Sequence, residues 1–183
     1  MALTYPTLLT TDMELTPCQV LWTPPGGSET DLGGTLGNVV ITQKYMKAGI
    51  KADQSGETIR DRRVSGAEFT VTTELTQVLD KNKWKVVFPH ATLAGSYPAN
   101  YITFNQAIGD SDLSKAGVLR LHPMSKDPAD NDTDHFFWLA CASAESSIIM
   151  GPTEQMRLKI VWNILPDESV SPERFYRFGD GTL

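Results

Sequence analysis

The stretch Met-Arg-Leu-Lys-Ile-Val-Trp-Asn-Ile-Leu-Pro at residues 156–166 decides the fold class of this chain. Apolar side chains occupy every second position from Met156 to Ile164, with Arg157, Lys159 and Asn163 between them. This period-two pattern predicts a β-strand with one face in a core and one face in a polar environment. Pro166 ends the strand, because proline cannot donate to a sheet. A strand so late in the chain must pair with strands formed much earlier, so we predict a non-local, mainly β fold.

Composition limits the possible functions. The chain has 183 residues, a net charge of −6 and 40% hydrophobic residues, which fits one domain with a substantial core. An acidic protein lacks the basic surface that binding to nucleic acid phosphates requires. The first residues resemble no secretory signal, and the sequence contains no apolar run long enough to cross a membrane. We therefore expect a protein that is cytosolic when made.

Further strands are predicted where apolar runs end at proline or glycine. Residues 67–75 show the second clean alternation, after that of the late strand. Residues 76–88 have the apolar spacing of a helix that stops at Pro89. We expect residues 1–15 to form an extended arm, residues 26–37 a glycine-rich loop, and residues 90–116 an irregular segment. The other predicted strands are 17–23, 39–47, 101–104, 117–123, 136–142 and 175–178.

A long charged connection, Ala48 to Arg63, separates two of these strands. A hairpin needs only about 2–5 connecting residues, so this length predicts a projecting element and not a simple turn. Arg60, Arg62 and Arg63 are interleaved with acidic residues, which is typical of a contact that fixes the orientation of a protein partner. A merely solvated hairpin is the alternative for this segment.

Residues that could support catalysis or metal binding do not form a recognisable pattern. Asp130, Asp132 and Asp134 are spaced like the start of a calcium loop, but His135 and Cys141 replace the glycine and the glutamate that such a loop needs. A solvated acidic loop is the preferred interpretation. His90 and His122 lie beside predicted strand or helix ends, away from other potential ligands. The sequence also contains no phosphate-binding loop and no nucleophile elbow, so we predict no enzyme activity, no metal and no cofactor.

Three features together resemble the tail tube (major tail) proteins of long-tailed bacteriophages. The first is the strand, charged connection and strand at 39–75, with Gly66 before the second strand and a helix after it. The second is Leu119–Pro123, followed by an acidic insert and then Phe136–Trp138. The third is the run 156–166 with Asp167 after it and Phe178–Gly179–Asp180 near the end. The resemblance covers most of residues 16–180, except for 90–116.

The resemblance implies a β-sandwich or half-barrel with one flanking α-helix and a long projecting hairpin loop, as a single domain at 16–183 after an arm at 1–15. Subunits would join their sheets into hexameric rings, and rings would stack into the hollow tube through which double-stranded DNA passes during ejection. Tape-measure, tail terminator and baseplate proteins would be partners, and the protein would be found in the phage tail and, during assembly, in the host cytoplasm. The segment 44–63 would reach an adjacent ring, with these candidate contacts: Lys47, Lys51, Asp53, Glu57, Arg60, Asp61, Arg62 and Arg63.

A conduit for DNA should not bind its cargo, because each cation that neutralises a phosphate adds affinity. The strand 67–75 offers carboxylates and hydroxyls on its polar face, which would let the DNA backbone slide. We therefore predict that the tube wall is lined by Glu68, Thr70, Thr72 and Glu74.

Two other functions are compatible with the sequence. One is a monomeric β-sandwich that binds a glycan or a receptor, with an exposed aromatic patch drawn from Trp22, Trp138 or Tyr97. The other is a tail terminator or connector, which forms one ring and stops. The state of assembly of the purified protein separates these possibilities.

Overall fold

The predicted late strand lies in the middle of a large antiparallel sheet in a computed structural model of the chain. The structure describes residues 16–51, 58–77, 79–88, 90–96, 99–105 and 108–180. The prediction of a mainly β fold is confirmed. The elements are β1 (Cys18–Thr23), β2 (Thr30–Gly34), β3 (Val40–Lys51), β4 (Ile59–Leu75), α1 (Lys81–Val87), β5 (Ala91–Ala94), β6 (Tyr101–Phe104), α2 (Asp112–Lys115), β7 (Gly117–Pro123), β8 (His135–Ile149), β9 (Arg157–Ile164) and β10 (Tyr176–Phe178).

The main sheet has the strand order β2-β1-β7-β8-β9-β4-β3, and β10 pairs with the start of β8. An isolated bridge between Thr35 and Leu75 brings the chain after β2 beside the end of β4, so the sheet curls back towards itself. The hairpin β5–β6 forms a separate two-stranded sheet. The arm at 1–15 lies outside the described residues.

The core lies on the face of the sheet that is enclosed as the sheet curls. Strand β9 buries Leu158, Ile160, Trp162 and Ile164, while the side chains between them stay partly exposed. Trp22 packs on Trp162 with ring centroids 5.0 Å apart. Both indole N–H groups have acceptors: Trp22 donates to the carbonyl of Val86 in α1, and Trp162 donates to the Thr73 hydroxyl at 3.0 Å. Because α1 binds this face, the opposite face of β4 and β9 stays uncovered by the helix.

Several element boundaries differ from the prediction. The helix spans Lys81–Val87, shorter than the predicted 76–88, because the Asp80 side chain caps it by accepting from the Asn82 N–H. The second helix α2 was not predicted, so the expectation of one flanking helix is wrong in number. The predicted glycine-rich loop contains β2, which pairs with β1 and buries Leu32 in the core.

Two predicted loops are also strand. Strand β8 continues to Ile149 through the expected loop at 143–147. Residues 90–116, expected to be irregular apart from a strand at 101–104, hold β5 and α2 as well as β6, which matches that predicted strand. The segment 44–63 is largely strand as well, since β3 runs to Lys51 and β4 begins at Ile59. Main-chain pairing extends these strands where side-chain alternation no longer marks them.

The hydrogen bond between Trp162 and Thr73 gives a test of this core. Thr73 is fully buried, and replacing it with valine keeps the shape but leaves the indole N–H without its acceptor. We expect Thr73→Val to lower the free energy of unfolding by about 1–3 kcal/mol, the cost of a buried unsatisfied donor. Urea denaturation of the purified protein measures it. Thr72→Val, on the opposite and partly exposed face, is the control and should change stability by less than about 0.5 kcal/mol. Equal effects of the two substitutions would contradict the assignment of faces.

Candidate assembly surface

Strands β3 and β4 extend beyond the rest of the sheet as a two-stranded ribbon. The pairing of β4 with β9 begins at Phe69, opposite Ile164, whereas β4 residues 59–68 pair with β3 only. At about 3.3 Å per residue, this ribbon is roughly 30 Å long. We call residues 45–51 and 59–67 the ribbon. It is defined by main-chain pairing, with a shift in register between Met46 and Lys47 and another between Ile50 and Lys51.

The ribbon exposes apolar side chains and cations together. Val64 is 60% exposed and Tyr45 52% exposed, although both are large hydrophobic residues. Met46, Ile50 and Ile59 are also exposed. Within the described residues, Lys47, Arg60, Arg62 and Arg63 have no carboxylate within ion-pair distance. Such a surface is expected at a contact with another protein.

Besides β2, which pairs only with β1 at one end of the sheet, two edges remain without a strand partner in the described part of the chain. Strand β3 pairs only with β4 and ends the sheet. On the other side, β7 pairs with β8 no further than Ala140, so Glu145–Ile149 pairs with β9 alone. The four strands β8, β9, β4 and β3 therefore form a sheet with open edges on both sides. Unpaired edge N–H and C=O groups readily pair with another chain.

The polar face of these four strands carries balanced charge. Directly paired residues point to the same face, so Lys44, Glu68, Thr70 and Thr72 share it with Asn163 and Lys159 across the sheet. Lys44 lies 3.1 Å from Glu68, and Arg157 lies 2.9 Å from Glu74. Outside the ribbon, the described residues of this face hold three carboxylates and three cations, which are Glu68, Glu74, Glu145, Lys44, Arg157 and Lys159.

A groove of about 650 Å³ lies at the base of the ribbon, between β3–β4 and the segment 168–175. Its wall includes Tyr45 and Phe175, and each ring contacts Phe69: Phe175 stacks on it at 4.7 Å and Tyr45 meets it edge-on at 5.9 Å. Glu168 and Glu173 lie on the rim and are exposed. Among the described residues, neither carboxylate has a cation within ion-pair distance. We call this feature the acidic groove.

The segment 165–175 that forms one wall is held by Asp167. Its carboxylate accepts from the Ser169 hydroxyl at 2.6 Å and from Arg174 at 2.7 Å. The hydrogen bond from Ser169, followed by that from Arg174, lowers the pKa of Asp167 below its ordinary value. Arg174 also lies over the Trp138 ring at 4.3 Å. This wall is therefore ordered by side-chain contacts within the subunit.

An internal polar network fixes the end of the acidic loop at 127–134, so the prediction of a solvated loop does not hold for Asp134. Asp134 is buried, and its carboxylate contacts Arg120 at 3.1 Å and His122 at 2.6 Å. Arg120 also pairs with Glu29 at 2.8 Å. Burial lowers the pKa of Arg120, but the hydrogen bonds and charges of Glu29 and Asp134 outweigh it and raise that pKa above its ordinary value. With Asp134 so engaged, the described residues contain no cluster of potential metal ligands.

His135 lies at the start of β8 against aromatic rings. It stacks on Tyr176, and its Nδ1 lies 2.7 Å from the Tyr176 hydroxyl. Burial lowers the pKa of His135 below its ordinary value, and the negative charge of Asp134 opposes this shift only in part. Burial likewise raises the pKa of Tyr176. These groups form an internal contact at the start of β8.

The structure places most of the predicted site residues together, in two groups. Glu68, Thr70, Thr72 and Glu74 share one face of β4, as the alternation predicts. Lys47, Lys51, Arg60, Asp61, Arg62 and Arg63 lie on the ribbon, and Asp53 and Glu57 lie outside the described residues.

Sequence reasoning missed both carboxylates of the acidic groove and the cations opposite Glu68 and Glu74. Their alignment depends on register between distant strands and left no local signal. The aromatic patch expected for a glycan-binding module also fails in part, since Trp22 is only 2% exposed and belongs to the core. Tyr97 lies outside the described residues. In the described part of the chain, helices are too short or too polar to cross a membrane.

The lowered pKa of His135 predicts a pH dependence of stability. The unfolded chain takes up a proton near pH 6.5, whereas the folded chain resists it, so stability should be full above that pH and fall as pH drops through it. We expect urea midpoints measured from pH 8 to pH 5 to fall more steeply for the wild type than for His135→Gln. Tyr176→Phe is the control and should keep the wild-type slope, because burial is the main cause of the shift. Equal slopes for the wild type and His135→Gln would contradict this role.

No model of a known protein family matches the chain, and no similar curated protein was found.

Proposed function

We propose that this protein is a structural protein of a bacteriophage tail, a tail tube protein whose copies form stacked hexameric rings around a channel for double-stranded DNA. The observation that carries the proposal is the four-stranded sheet β8-β9-β4-β3 with an open edge on each side. In this proposal the subunit is a half-barrel that is completed by its neighbours.

Strand direction supports closure into a ring. Successive strands of the four-stranded sheet run antiparallel, so β3 and β8 run in opposite directions. When copies are related by rotation about a ring axis, β3 of one copy meets β8 of the next in antiparallel pairing. That pairing satisfies both open edges with main-chain hydrogen bonds, and closing the ring removes edges altogether.

The ribbon supports stacking of the rings. A two-stranded ribbon is marginally stable in water by itself. This ribbon exposes apolar side chains beside cations that have no ion-pair partner among the described residues. A contact from the ribbon of one copy to a different surface of another is heterologous and does not close. Such contacts build filaments, which is what a tube of rings requires.

The polar face of the four-stranded sheet would form the wall of the channel. The sequence predicts a wall of carboxylates and hydroxyls, and the paired strands add Lys44, Arg157 and Lys159 to it. With the charges balanced, and two of the carboxylates held in ion pairs within the subunit, the wall offers little net attraction to phosphates. DNA could then slide through it. The tape-measure, terminator and baseplate partners and the location in the virion belong to the same proposal.

Negative-stain electron microscopy of the purified protein at high concentration tests this function. We expect hollow tubes of stacked rings, with light scattering that rises as the concentration increases. Single rings that do not stack would favour a terminator or connector. A protein that stays monomeric at high concentration would contradict the proposal and favour a binding module.

Neighbouring proline substitutions in β8 test the open edge itself. Ser146 and Ser147 are both exposed, and their N–H groups point to opposite sides of the strand, one towards β9 and one towards the open edge. Proline removes the N–H. We expect one of Ser146→Pro and Ser147→Pro to destabilise the monomer, and the other to leave thermal stability nearly unchanged while it abolishes rings in electron micrographs. If both variants form rings normally, the ring contact does not use this edge.

A further inference from the structure

A small polar cavity lies on the outer face of β1, β2 and β7, away from the ribbon and the open edges. In the pairing of β1 with β7, Val20 opposite Leu121 belongs to the core, so the next pair, Gln19 opposite His122, lies on the other face. The cavity has a volume of about 260 Å³. Its lining includes Gln19, Asp31, Gly34, His122, Met124 and Lys126.

His122 has one ring nitrogen with a partner and one without. Its Nδ1 lies 2.6 Å from Oδ1 of Asp134, and the other oxygen of that carboxylate binds Arg120 at 3.1 Å. A carboxylate accepts hydrogen bonds, so Nδ1 carries the proton and Nε2 of the neutral ring offers a lone pair. Nε2 is buried and has no hydrogen-bond partner among the described residues. Since the two nitrogens lie on different sides of the ring, Nε2 points away from Asp134.

This arrangement of the imidazole is the one that metal-binding histidines adopt. Such a histidine donates its second ring N–H to a carboxylate, which fixes the tautomer and the orientation of the ring. Asp134 performs this role for His122, and both side chains are almost fully buried. A buried polar atom without a partner is rare, and an ion or a water that occupies the adjacent cavity would supply the partner that Nε2 lacks.

Met124 provides a second ligand atom beside His122. The pairing of β1 with β7 continues past the end of β7, because the Met124 N–H donates to the Pro17 carbonyl at 2.9 Å. Residues two apart on a strand share a face and have Cα atoms about 6.6 Å apart, so the imidazole and the thioether can meet at one ion. The Met124 sulfur lies above Gly34, where an added Cβ would be 3.4 Å from it.

The chemistry of this pair favours a soft metal ion. Calcium and zinc are held by sets of carboxylates, histidines and thiolates, and the described residues contain no group of three or more such side chains. A thioether is a soft ligand that favours Cu(I), and imidazole also suits copper. Cu(I) accepts few ligands, so a histidine and a methionine can hold it where a harder ion needs more. Of the charged residues in the lining, Asp31 favours a cation, while Lys126 is exposed on the rim.

We propose that His122 and Met124 form a binding site for Cu(I), with His122 Nε2 and the Met124 sulfur as ligands and Asp134 as the residue that orients the imidazole. The protein binds copper that is already reduced, and no electron transfer is involved. The site uses neither the open edges nor the ribbon nor the predicted wall residues. It therefore stands or falls independently of the proposed tube function.

Anaerobic competition for Cu(I) with a coloured chelator tests the site. All proteins carry Cys18→Ala, because the half-buried Cys18 thiol is itself a soft ligand, whereas Cys141 is buried in the core. Met124→Leu keeps the side-chain size at an exposed position, so we expect it to fold normally and to bind Cu(I) at least about tenfold more weakly. Met150→Leu changes another exposed methionine, after the end of β8, and is the matched control that should bind with unchanged affinity.

X-ray absorption of the copper-loaded protein identifies the ligands. We expect nitrogen and sulfur neighbours around the copper, with the sulfur lost in Met124→Leu and retained in Met150→Leu. His122→Gln should abolish binding, with circular dichroism to show that it folds; if it does not fold, Met124→Leu decides the question. Failure of the starting protein to take copper from the chelator would contradict the proposal and leave a cavity that holds only water. Equal affinities of Met124→Leu and Met150→Leu would also contradict it.

Discussion

The register of the central strand β9 is the constraint on which the rest of the structure depends. Ile160, Trp162 and Ile164 point into the core, and the residues between them point out. A shift of one residue would exchange the faces and bury Lys159 and Asn163. The hydrogen bond from the Trp162 indole to Thr73 fixes this register across β4, because any other alignment leaves a buried donor without an acceptor. The indole ring also packs on Trp22, which ties the strand to the far side of the curled sheet.

That register decides both faces at once. Because the apolar face packs in the core, the other face of β8, β9, β4 and β3 carries hydroxyls and balanced charges, and no described helix covers it. The extent of the core also sets where the ribbon begins. Strand β9 ends at Ile164, opposite Phe69, and the β4 residues that precede Phe69 have only β3 beside them. Stability of the subunit therefore comes from the curled part of the sheet. The ribbon and the open edges contribute little to it and remain available for association.

The strands that can be predicted from the sequence have one buried face and one solvent-exposed face. Strands β7 and β9 were found almost to the residue, since Leu119, Leu121 and Trp162 mark a buried face. The four wall candidates on β4 follow from the same alternation. The sequence predicts a long connection over most of the ribbon, because both faces of the ribbon are exposed and the period-two signal is lost. Strand β2 was missed for a different reason. Its Gly33 has a φ of +103° and leaves room for the Gln77 side chain, so a glycine that normally marks a loop here permits a close approach.

Contacts between residues that are distant in the sequence cannot be predicted from the local pattern of apolar and polar residues. Asp134 reads as one acid in a solvated run, yet it is buried between Arg120 and His122 by the pairing of β7 with β8. In the sequence, Glu168 and Glu173 are simply acids in a predicted turn. They line the groove because Phe175 stacks on Phe69 and holds their segment against the ribbon base. The two proposed contacts therefore differ in physics. Edge pairing within a ring uses main-chain hydrogen bonds, which salt hardly affects, whereas exposed charges between rings are screened over about 10 Å at 0.1 M salt. On this proposal rings form first and persist, and the ionic strength governs whether they stack.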